Sequence, residues 1–237
     1  MTKSGLRDAA RRRIPWPMLF ETLDRVVDPQ SHGAAFNMAM DETLLRRLKA
    51  PAIRIYRWSR PAVSFGYFEK YQAAMEEYPG REPVRRWTGG GIVPHGEDVT
   101  YSLFAPADSA AFRLKPVESY RLIHESIRDL LARQGVEGRV AAEPFPEESR
   151  ACFQKAVRHD IVVGSRKIAG AAQRRTKCGL LHQGSIQNVE LPGQFEELLA
   201  GAFSGRTRER EMTREELETA SVLAREKYAS DAWMRRY

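Results

Sequence analysis

The order of helix-like and strand-like segments is the feature that most restricts the fold of this chain. Apolar residues recur every four positions from Phe36 to Leu48, which is the period of one helix face. A helix is therefore predicted over residues 34–50, with Pro51 ending it. Alternating and β-branched segments follow directly, and no regular strand–helix–strand repeat develops. This order favours an α+β fold, with a mixed, largely antiparallel sheet and packed helices, over a doubly wound one.

The remaining segments extend this interpretation along the chain. Strands are predicted over residues 53–56, 61–68, 99–104 and 180–186, with Ser59-Arg60 as the turn between the first two, and helices over 70–78, 116–134 and 195–203. Residues 159–163 and 166–173 form a predicted hairpin, because Gly164-Ser165 suits a tight turn. The spacing Thr213-x-x-Glu216 is a capping box that opens a last helix.

Length and composition indicate one catalytic unit. The 237 residues are 42% apolar and 29% charged, which suffices for one core and fits neither a disordered nor a membrane-spanning chain. We expect an N-terminal extension over 1–30 and a single domain over 31–237. Residues 1–13 are basic without an apolar stretch, so they do not resemble a secretory signal. Two cysteines cannot make a disulfide framework, and a cytoplasmic location is expected.

The formal charge of +7 predicts an acidic partner. Nucleic acid, anionic lipid and an acidic carrier protein would each satisfy it, and charge alone does not choose among them. The arginines at 11–13 and 206–210 are interpreted as solvated surface. The chain lacks an aromatic-basic RNA-binding motif or a DNA-recognition signature, so a non-catalytic nucleic-acid-binding module ranks below an enzyme.

Three consecutive glycines at 89–91 let backbone amides approach a ligand, as in a carbonyl or phosphate cradle. Such a run alone is more often an ordinary turn. Its neighbours change that interpretation, because Arg85 and Arg86 precede the run and His95 follows it. A solvated strand face for the arginines and a satisfied loop histidine are the alternatives.

The predicted hairpin carries a lysine among small side chains. Strand alternation puts Lys167, Ala169 and Ala171 on one face, which could floor a narrow pocket, and Gly170 removes a side chain beside it. A single lysine on a strand is usually a surface charge.

Cys152 follows a Pro/Glu-rich loop and precedes that hairpin. A neighbouring ammonium such as Lys167 would stabilise the thiolate, which is the form that attacks a thioester carbonyl. Free cysteines are also common as small buried apolar residues, which is the interpretation preferred for Cys178.

Four motifs together resemble the lipoate-protein ligase and octanoyltransferase superfamily, in order as well as spacing. They are Asn37-x-Ala39-x-Asp41-Glu42, Arg85-Arg86-x-Thr88-Gly89-Gly90-Gly91-x-x-x-His95, Thr100-Tyr101-Ser102, and Lys167-Ile168-x-Gly170-x-Ala172-Gln173. The resemblance covers residues 35–188. It implies a catalytic core like that of biotin-protein ligases and class II synthetases, in which the glycine loop and the lysine strand enclose an acyl chain.

Within this superfamily, Ala151-Cys152-Phe153 and the Thr100 motif resemble the ligase-like octanoyltransferases, which carry their nucleophile at this place. The resemblance implies Cys152 and Lys167 as catalytic residues. It implies no metal, and a substrate-binding set made of Arg86, Thr88, Gly89, Gly90, Gly91, His95, Gly170, Ala172, Gln173 and His182. Two positions depart from the pattern: Glu69 replaces a common Gln, and Gln183 replaces a His, for which His182 is the substitute.

The implied reaction moves octanoate from acyl carrier protein, through a Cys152 thioester, to a lysine of a lipoyl domain or of the glycine-cleavage carrier protein. No cofactor is expected. The alternative is an ATP-dependent lipoate-protein ligase, which would use ATP and Mg and leave Cys152 incidental.

Overall fold

The computed structural model describes residues 18–144 and 156–237. The strands in this part of the chain are β1 Leu23–Val27, β2 Ser31–His32, β3 Ala52–Trp58, β4 Ala62–Phe65, β5 Glu82–Arg85, β6 Ile92–His95, β7 Val99–Pro106, β8 Arg139–Val140, β9 Ile161–Val163, β10 Arg166–Thr176, β11 Gly179–Ile186 and β12 Thr207–Glu211. The helices are α1 Ala34–Arg47, α2 Tyr71–Glu77, α3 Ala110–Arg113, α4 Pro116–Arg133, α5 Phe195–Phe203, α6 Arg214–Leu223 and α7 Asp231–Met234, with a π-helical turn over Ala224–Tyr228.

Most predicted elements are present. Helix α1 is three residues shorter than predicted, because the Leu48 backbone turns extended while its N–H still donates to the carbonyl of Leu44. Helix α5 has the predicted bounds, and the capping box is confirmed, with Thr213 and Glu216 each accepting the other's backbone N–H. The hairpin closed by Gly164-Ser165 is confirmed as β9 and β10.

The large sheet confirms the mixed, largely antiparallel prediction. Its strand order is β12-β1-β3-β7-β11-β10-β9-β8, with β2 beside β3. The pairings from β3 through β7, β11, β10 and β9 to β8 are antiparallel, whereas β1 is parallel to both of its neighbours. Helices α4 and α5 pack on one face, and α1 and α6 pack on the other. The sheet is therefore the middle layer of three, with helices on both of its faces.

A second, three-stranded sheet of order β5-β4-β6 lies apart from the first. The predicted turn at Ser59-Arg60 is present as a bend between β3 and β4, but these two strands do not pair with each other. Strand β4 instead pairs with β5 and with β6, a strand that sequence patterning did not predict. The two sheets leave a space between them, and that space becomes the cavity described below.

Strand β1 lies within residues 1–30, the range predicted as an extension. It is hydrogen-bonded on both sides, to β3 and to β12, and Leu23 and Val26 are buried. The sheet therefore begins before the predicted boundary. The alternating Arg and Glu side chains of β12 are mostly exposed, which agrees with the predicted solvated surface. The segment nevertheless forms a strand, which the charge pattern did not predict. No helix within residues 18–144 or 156–237 is both long enough and apolar enough to span a membrane.

Candidate active site

A cavity of about 320 Å³ lies between the large sheet and the three-stranded sheet. The large sheet contributes residues of β3, β7, β10 and β11, and the small sheet contributes residues of β4 and β6 with the glycine loop that precedes β6. The lining residues used below are Met38, Ser64, Arg86, Gly90, Gly91, Ile92, Val93, His95, Lys167, Gly170, Ala172 and Gln183. Apolar residues lie on both sides of the cavity, so its walls suit an acyl chain, and Lys167, Arg86 and His95 are among the polar groups that line it.

Lys167 is the reactive group that the geometry places most firmly. Its Nζ lies 2.8 Å from the Asp160 Oδ2, and the two side chains are 10% and 0% exposed. Tyr120 donates a 2.5 Å hydrogen bond to the other carboxylate oxygen, and the N–H of Val157 donates to Oδ2 at 2.8 Å. Burial, and then the charge of Asp160, raise the pKa of Tyr120 well above its ordinary value, so it remains a donor. The carboxylate is thereby fixed from three sides, and it holds the ammonium at the cavity wall.

A bulge in β10 decides which residues accompany Lys167. Lys167 pairs with Val162 and Ala169 with Ile161, so Ile168 is an extra residue in the strand. Ile168 and Ala169 both enter the core on the α4 side, and the predicted shared face of Lys167, Ala169 and Ala171 is wrong at Ala169. The strand returns to the cavity at Gly170, where a Cβ would lie 2.2 Å from the Cε of Lys167. The lysine therefore requires glycine at this position.

The glycine loop is shaped by backbone contacts. A Cβ at Gly66 would lie 1.8 Å from the carbonyl oxygen of Gly90, which itself has φ +85°. The Arg86 guanidinium donates to the carbonyls of Gly89 and Gly91 at 3.0 and 2.8 Å. Arg86 and the loop glycines 90 and 91 line the cavity, so a cation and exposed backbone meet there as predicted.

Arg85 is not on a solvated strand face. Its side chain is fully buried and donates to the carbonyls of Tyr67, Glu69, Trp233 and Met234. It thus ties the C-terminal helix α7 to the residues beside the cavity rim. Sequence patterning could not distinguish this structural arginine from its cavity-lining neighbour, because the two are adjacent in one motif.

A buried polar network lies behind the cavity wall and supports it. Gln183 lines the cavity, accepts from Thr88 at 2.7 Å and donates to the Oδ2 of Asp41 at 2.8 Å. Asp41 in turn pairs with Arg54 at 2.9 Å, with both side chains fully buried. Burial raises the pKa of Asp41, since desolvation outweighs the stabilising charge of Arg54. Thr88 therefore acts behind the lining, through Gln183.

His182 does not reach the cavity. Adjacent strand residues face opposite ways, so Gln183 points into the cavity while His182 is buried beside helix α4. Its Nε2 lies 3.2 Å from the hydroxyl of Tyr101, and its Nδ1 lies 3.1 Å from the amide of Gln173. Burial lowers the pKa of His182 well below its ordinary value. We expected His182 to take the role of the histidine that the family pattern has at position 183. This is wrong, because Gln183 itself occupies that place in the cavity wall.

His95 lines the cavity in a fully bonded setting. Its Nε2 lies 2.6 Å from the Oγ of Ser64, and its Nδ1 lies 2.8 Å from Asp98. The ring stacks on Trp58 with centroids 4.2 Å apart. Burial opposes ionisation of Asp98, but the charge of His95 and the surrounding hydrogen bonds win and lower the pKa of Asp98 to about 2.

The structure therefore unites most of the predicted site. Seven predicted residues line the cavity: Arg86, Gly90, Gly91, His95, Lys167, Gly170 and Ala172. Gly89 accepts from Arg86 without lining the cavity, Thr88 contacts the lining residue Gln183, and Gln173 contacts the buried His182. Cys152 lies outside the described residues. The free thiol of Cys178 is half-buried and packs against the core cluster that includes α1, as expected for a small packing residue.

Three polar residues of the site were missed: Ser64, Asp98 and Asp160. Asp160 directly precedes the apolar run of β9, where no neighbouring residue in the sequence explains a carboxylate. This position was the sequence signal from which Asp160 could have been identified. Ser64 and Asp98 become informative only when β4 and β6 pair. Within residues 18–144 and 156–237, no group of three or more His, Cys, Asp or Glu side chains could hold a metal.

Comparison with known proteins gives a consistent family. The sequence profile of the lipoyl protein ligase A/B catalytic domain matches residues 33–219. The octanoyltransferase LipM of Halalkalibacterium halodurans is 35% identical over an alignment of 178 positions that covers 68% of this chain and 64% of that protein. The octanoyltransferase LipM of Staphylococcus aureus is 34% identical over 72% of this chain and 68% of its own length. This chain thus spans about 64% of the length of the H. halodurans relative.

Solved structures show the same fold. A lipoate-protein ligase A bound with ATP superposes with a TM-score of 0.73 at 21% identity, covering 91% of this chain and 99% of that one. A bi-partite lipoate protein ligase from Thermoplasma acidophilum, solved in work on its E2 lipoyl domain, gives 0.66 at 21% identity, covering 91% and 96%. The expected α+β catalytic fold is confirmed by these superpositions.

Proposed function

This chain belongs to the family of lipoyl protein ligase A/B catalytic domains, and we propose that it is an octanoyltransferase that acts through a thioester on Cys152. The observation that carries the proposal is the position of Lys167. A lysine amine is held by a buried carboxylate in the wall of a cavity otherwise suited to an acyl chain. The similarity to LipM octanoyltransferases supports transfer rather than ligation.

In the first half-reaction, the ammonium of Lys167 stabilises Cys152 as thiolate. The Cys152 proton passes to water, the thiolate attacks the carbonyl carbon of the octanoyl donor, and the donor's C–S bond breaks. The donor leaves as a thiolate and takes a proton from water. Octanoyl-Cys152 results. Backbone N–H groups near the glycine loop are the candidates for stabilising the oxyanion, because Arg86 fixes that loop by binding the carbonyls of Gly89 and Gly91.

In the second half-reaction, the neutral amine of an acceptor lysine attacks the thioester carbonyl. The C–S bond to Cys152 breaks, the amine loses a proton, and an amide is left on the acceptor. Exchange between thioesters is nearly balanced in energy, and amide formation from a thioester is downhill. The proposed reaction therefore needs neither ATP nor a metal.

The octanoyl chain would occupy the apolar part of the cavity. Met38 of α1 and Ala172 of β10 contribute to the side of the large sheet, and Ile92 and Val93 of β6 contribute to the opposite side. Small residues at 170 and 172 leave room beside the lysine, and a straight chain can fill such a slot without burying a polar atom.

Acyl carrier protein is the proposed donor, and a lipoyl domain or the glycine-cleavage carrier protein is the proposed acceptor. The +7 charge of the chain supports partners that are acidic. Arg174 stacks over Trp87 with 4.7 Å between guanidinium and ring, and over Tyr67 at 5.4 Å. Phe68, next to the cavity-lining Glu69, is 74% exposed. This cationic and aromatic surface is the proposed docking side.

The test is intact-mass spectrometry of the protein incubated with octanoyl-acyl carrier protein and no ATP. The proposal predicts an octanoyl adduct on Cys152, located by peptide mapping, that persists in the matched control Cys178→Ser and passes to an added lipoyl domain. Cys152→Ala is expected to lose both this adduct and the transfer to the lipoyl domain, whatever adduct forms at another residue. Lys167→Ala is expected to slow adduct formation by about 100-fold or more. Absence of the adduct, together with ATP–pyrophosphate exchange in the presence of lipoate, would instead identify a lipoate-protein ligase.

A further inference from the structure

Three residues of the cavity form a hydrogen-bonded chain that the proposed transfer reaction does not use. The Oγ of Ser64 lies 2.6 Å from the Nε2 of His95, and the Nδ1 of the same ring lies 2.8 Å from the Oδ2 of Asp98. A hydroxyl, an imidazole and a carboxylate joined in this order are the geometric signature of an activated serine nucleophile, whatever the order of the residues in the chain.

The surroundings of the Asp98 carboxylate keep it ionised and fixed in position. Asp98 is buried, and the same Oδ2 accepts from Thr100 at 2.6 Å and from Ser185 at 2.7 Å, while Oδ1 accepts the N–H of Gly96 at 3.1 Å. Burial opposes ionisation of Asp98, but the charge of the His95 ring when it is protonated, followed by these hydrogen bonds, lowers the pKa of Asp98 to about 2. When the ring is neutral, the fixed anion on Nδ1 selects the imidazole tautomer that carries its proton there. The lone pair of Nε2 is then free to accept the proton of Ser64.

The two remaining members are equally constrained. Stacking on Trp58 holds the plane of the His95 ring, and the antiparallel pairing of β4 with β6 sets Ala62 opposite His95. Ser64 is two residues beyond Ala62, so its side chain lies on the same face as the histidine. The Nη1 of Arg86 donates to the Ser64 Oγ at 2.7 Å. A cation beside this oxygen favours transfer of the hydroxyl proton to His95, because it stabilises the negative charge left on Oγ.

We propose that Ser64 is a second nucleophile, and that the cavity hydrolyses medium-chain acyl esters and thioesters independently of Cys152. In acylation, the Oγ–H proton passes to the Nε2 of His95 as Oγ bonds to the carbonyl carbon. The bond to the leaving alcohol or thiol breaks, and that group takes the proton from His95. In deacylation, water gives a proton to His95, its oxygen attacks the Ser64 ester, and the ester bond breaks. The fatty acid is released and Ser64 recovers its proton.

Both Ser64 and His95 line the same 320 Å³ cavity as Lys167, so the carbonyl of an acyl chain bound there can lie within reach of Ser64. The substrate class is set by that cavity: an unbranched acyl group with an activated carbonyl. This hydrolysis would act as a discharge route for acyl groups that enter the cavity without an acceptor. The inference rests on residues 64, 95 and 98 and does not require the proposed function of Cys152.

The experiment removes the first nucleophile and looks for the second. Cys152→Ala protein is incubated with p-nitrophenyl octanoate and, separately, with an octyl fluorophosphonate, and the modified residue is located by peptide mapping. We expect p-nitrophenolate release above the buffer rate and labelling at Ser64. Mapping of the unaltered protein, which distinguishes the peptide of Ser64 from that of Cys152, is expected to show the same fluorophosphonate label.

Two variants made in the Cys152→Ala background decide the role of the triad. Ser64→Ala is expected to abolish labelling, and Asp98→Asn, which leaves Ser64 in place, is expected to slow both labelling and hydrolysis by about 100-fold or more. Ser126→Ala is the matched control, because that hydroxyl donates only within α4, to the carbonyl of Leu122. Thermal melting establishes that each variant is folded, and Asp98→Asn decides the question if Ser64→Ala is not.

Equal hydrolysis with and without Ser64, a label on another residue, or no label at all in folded protein would each overturn the proposal. None of these results bears on octanoyl transfer. Conversely, a failure to find octanoyl-Cys152 in the unaltered protein would leave the Ser64 result standing.

Discussion

The Nζ of Lys167 lies 2.8 Å from a carboxylate oxygen of Asp160, and the Cα of Gly170 closes over the lysine stem so tightly that no Cβ fits there. The Asp160 carboxylate thus holds the amine by charge, and the missing side chain at Gly170 leaves the space that the lysine stem occupies. The placement of the Lys167 amine in the cavity wall therefore depends on Asp160 and Gly170 as well as on the lysine itself.

Asp160→Asn should weaken octanoyl transfer. The change removes the anion that fixes the ammonium but leaves an amide of the same shape, so we expect transfer to fall about 10- to 100-fold, mainly in kcat. The measurement is the steady-state rate with octanoyl-acyl carrier protein. Asp129→Asn, on the half-exposed surface of α4, is the control and should leave the rate unchanged. Equal rates for the two variants would contradict the positioning role of Asp160.

Gly170→Ala should displace the lysine. The added Cβ would lie 2.2 Å from the Cε of Lys167 and 2.5 Å from its Nζ, so the side chain must shift. We expect transfer to be nearly abolished and the free energy of unfolding to fall by about 1–3 kcal/mol. The matched control is Gly201→Ala within α5, where a Cβ meets nothing within 4 Å and helix propensity improves. Urea unfolding and the transfer assay together test both effects.

His124→Gln should reduce the sensitivity of the fold to acid. Burial lowers the pKa of His124 to about 4 against an ordinary 6.5, so the unfolded chain takes up the proton first as the pH falls. Stability is therefore unaffected above about pH 6.5 and is lost progressively as the pH falls toward 4. At pH 5 this one group should cost about 2 kcal/mol relative to pH 8.

The variant keeps a side-chain N–H that can donate to the carbonyl of His159, which His124 contacts at 2.6 Å through Nδ1. His182 is retained, and burial and then the charge of His124 lower its pKa, so the variant removes the contribution of His124 together with its effect on His182. The free energy of unfolding is measured in urea at pH 8 and pH 5 for both proteins. The same pH-dependent loss in the variant as in the parent would show that His124 is not its source.

Transfer from an acidic carrier should be sensitive to salt. The net charge of +7 speeds the encounter with an anionic protein, and the Debye length shortens from about 30 Å at 0.01 M to about 8 Å at 0.15 M ionic strength. We expect kcat/KM for octanoyl-acyl carrier protein to fall several-fold over this range. Octanoyl-pantetheine, a neutral donor of the same chemistry, is the control and should show little change. A carrier rate independent of salt would remove the charge argument for an acidic partner.

Local patterning predicted those elements whose cause is local. Helix α5, the capping box at Thr213 and the hairpin turn at Gly164 each depend on residues within one or two turns of each other, and each was found. Strand β1 and strand β12 were missed because they are separated in sequence and held by their pairing, and β12 reads as a charged surface segment. The departure of β4 into its own sheet likewise depends on partners that no local pattern reveals.

The site divides in the same way. The glycine loop, Arg86 and Lys167 were found because each motif concentrates its chemistry in adjacent residues. Asp160 was missed because its meaning comes from a lysine on the next strand, and Ser64 because its histidine arrives on a strand that was not predicted. His182 was assigned to the wrong side of the sheet. A choice between neighbours on one strand needs the register, which the sequence near residue 182 does not contain.

The extra residue in β10 has a consequence for how this fold can change. Strict alternation would put residue 170 on the side of the sheet opposite residue 167, and the bulge at Ile168 is what returns both to the cavity. Deleting that one residue would place the lysine and the glycine two positions apart, and ordinary alternation would keep both on the cavity face. The extra residue therefore changes the local bend and twist of the strand, and not the face on which these two residues meet. A strand with Lys-x-Gly spacing and no bulge would present the same pair to a cavity as the Lys-x-x-Gly strand of this protein.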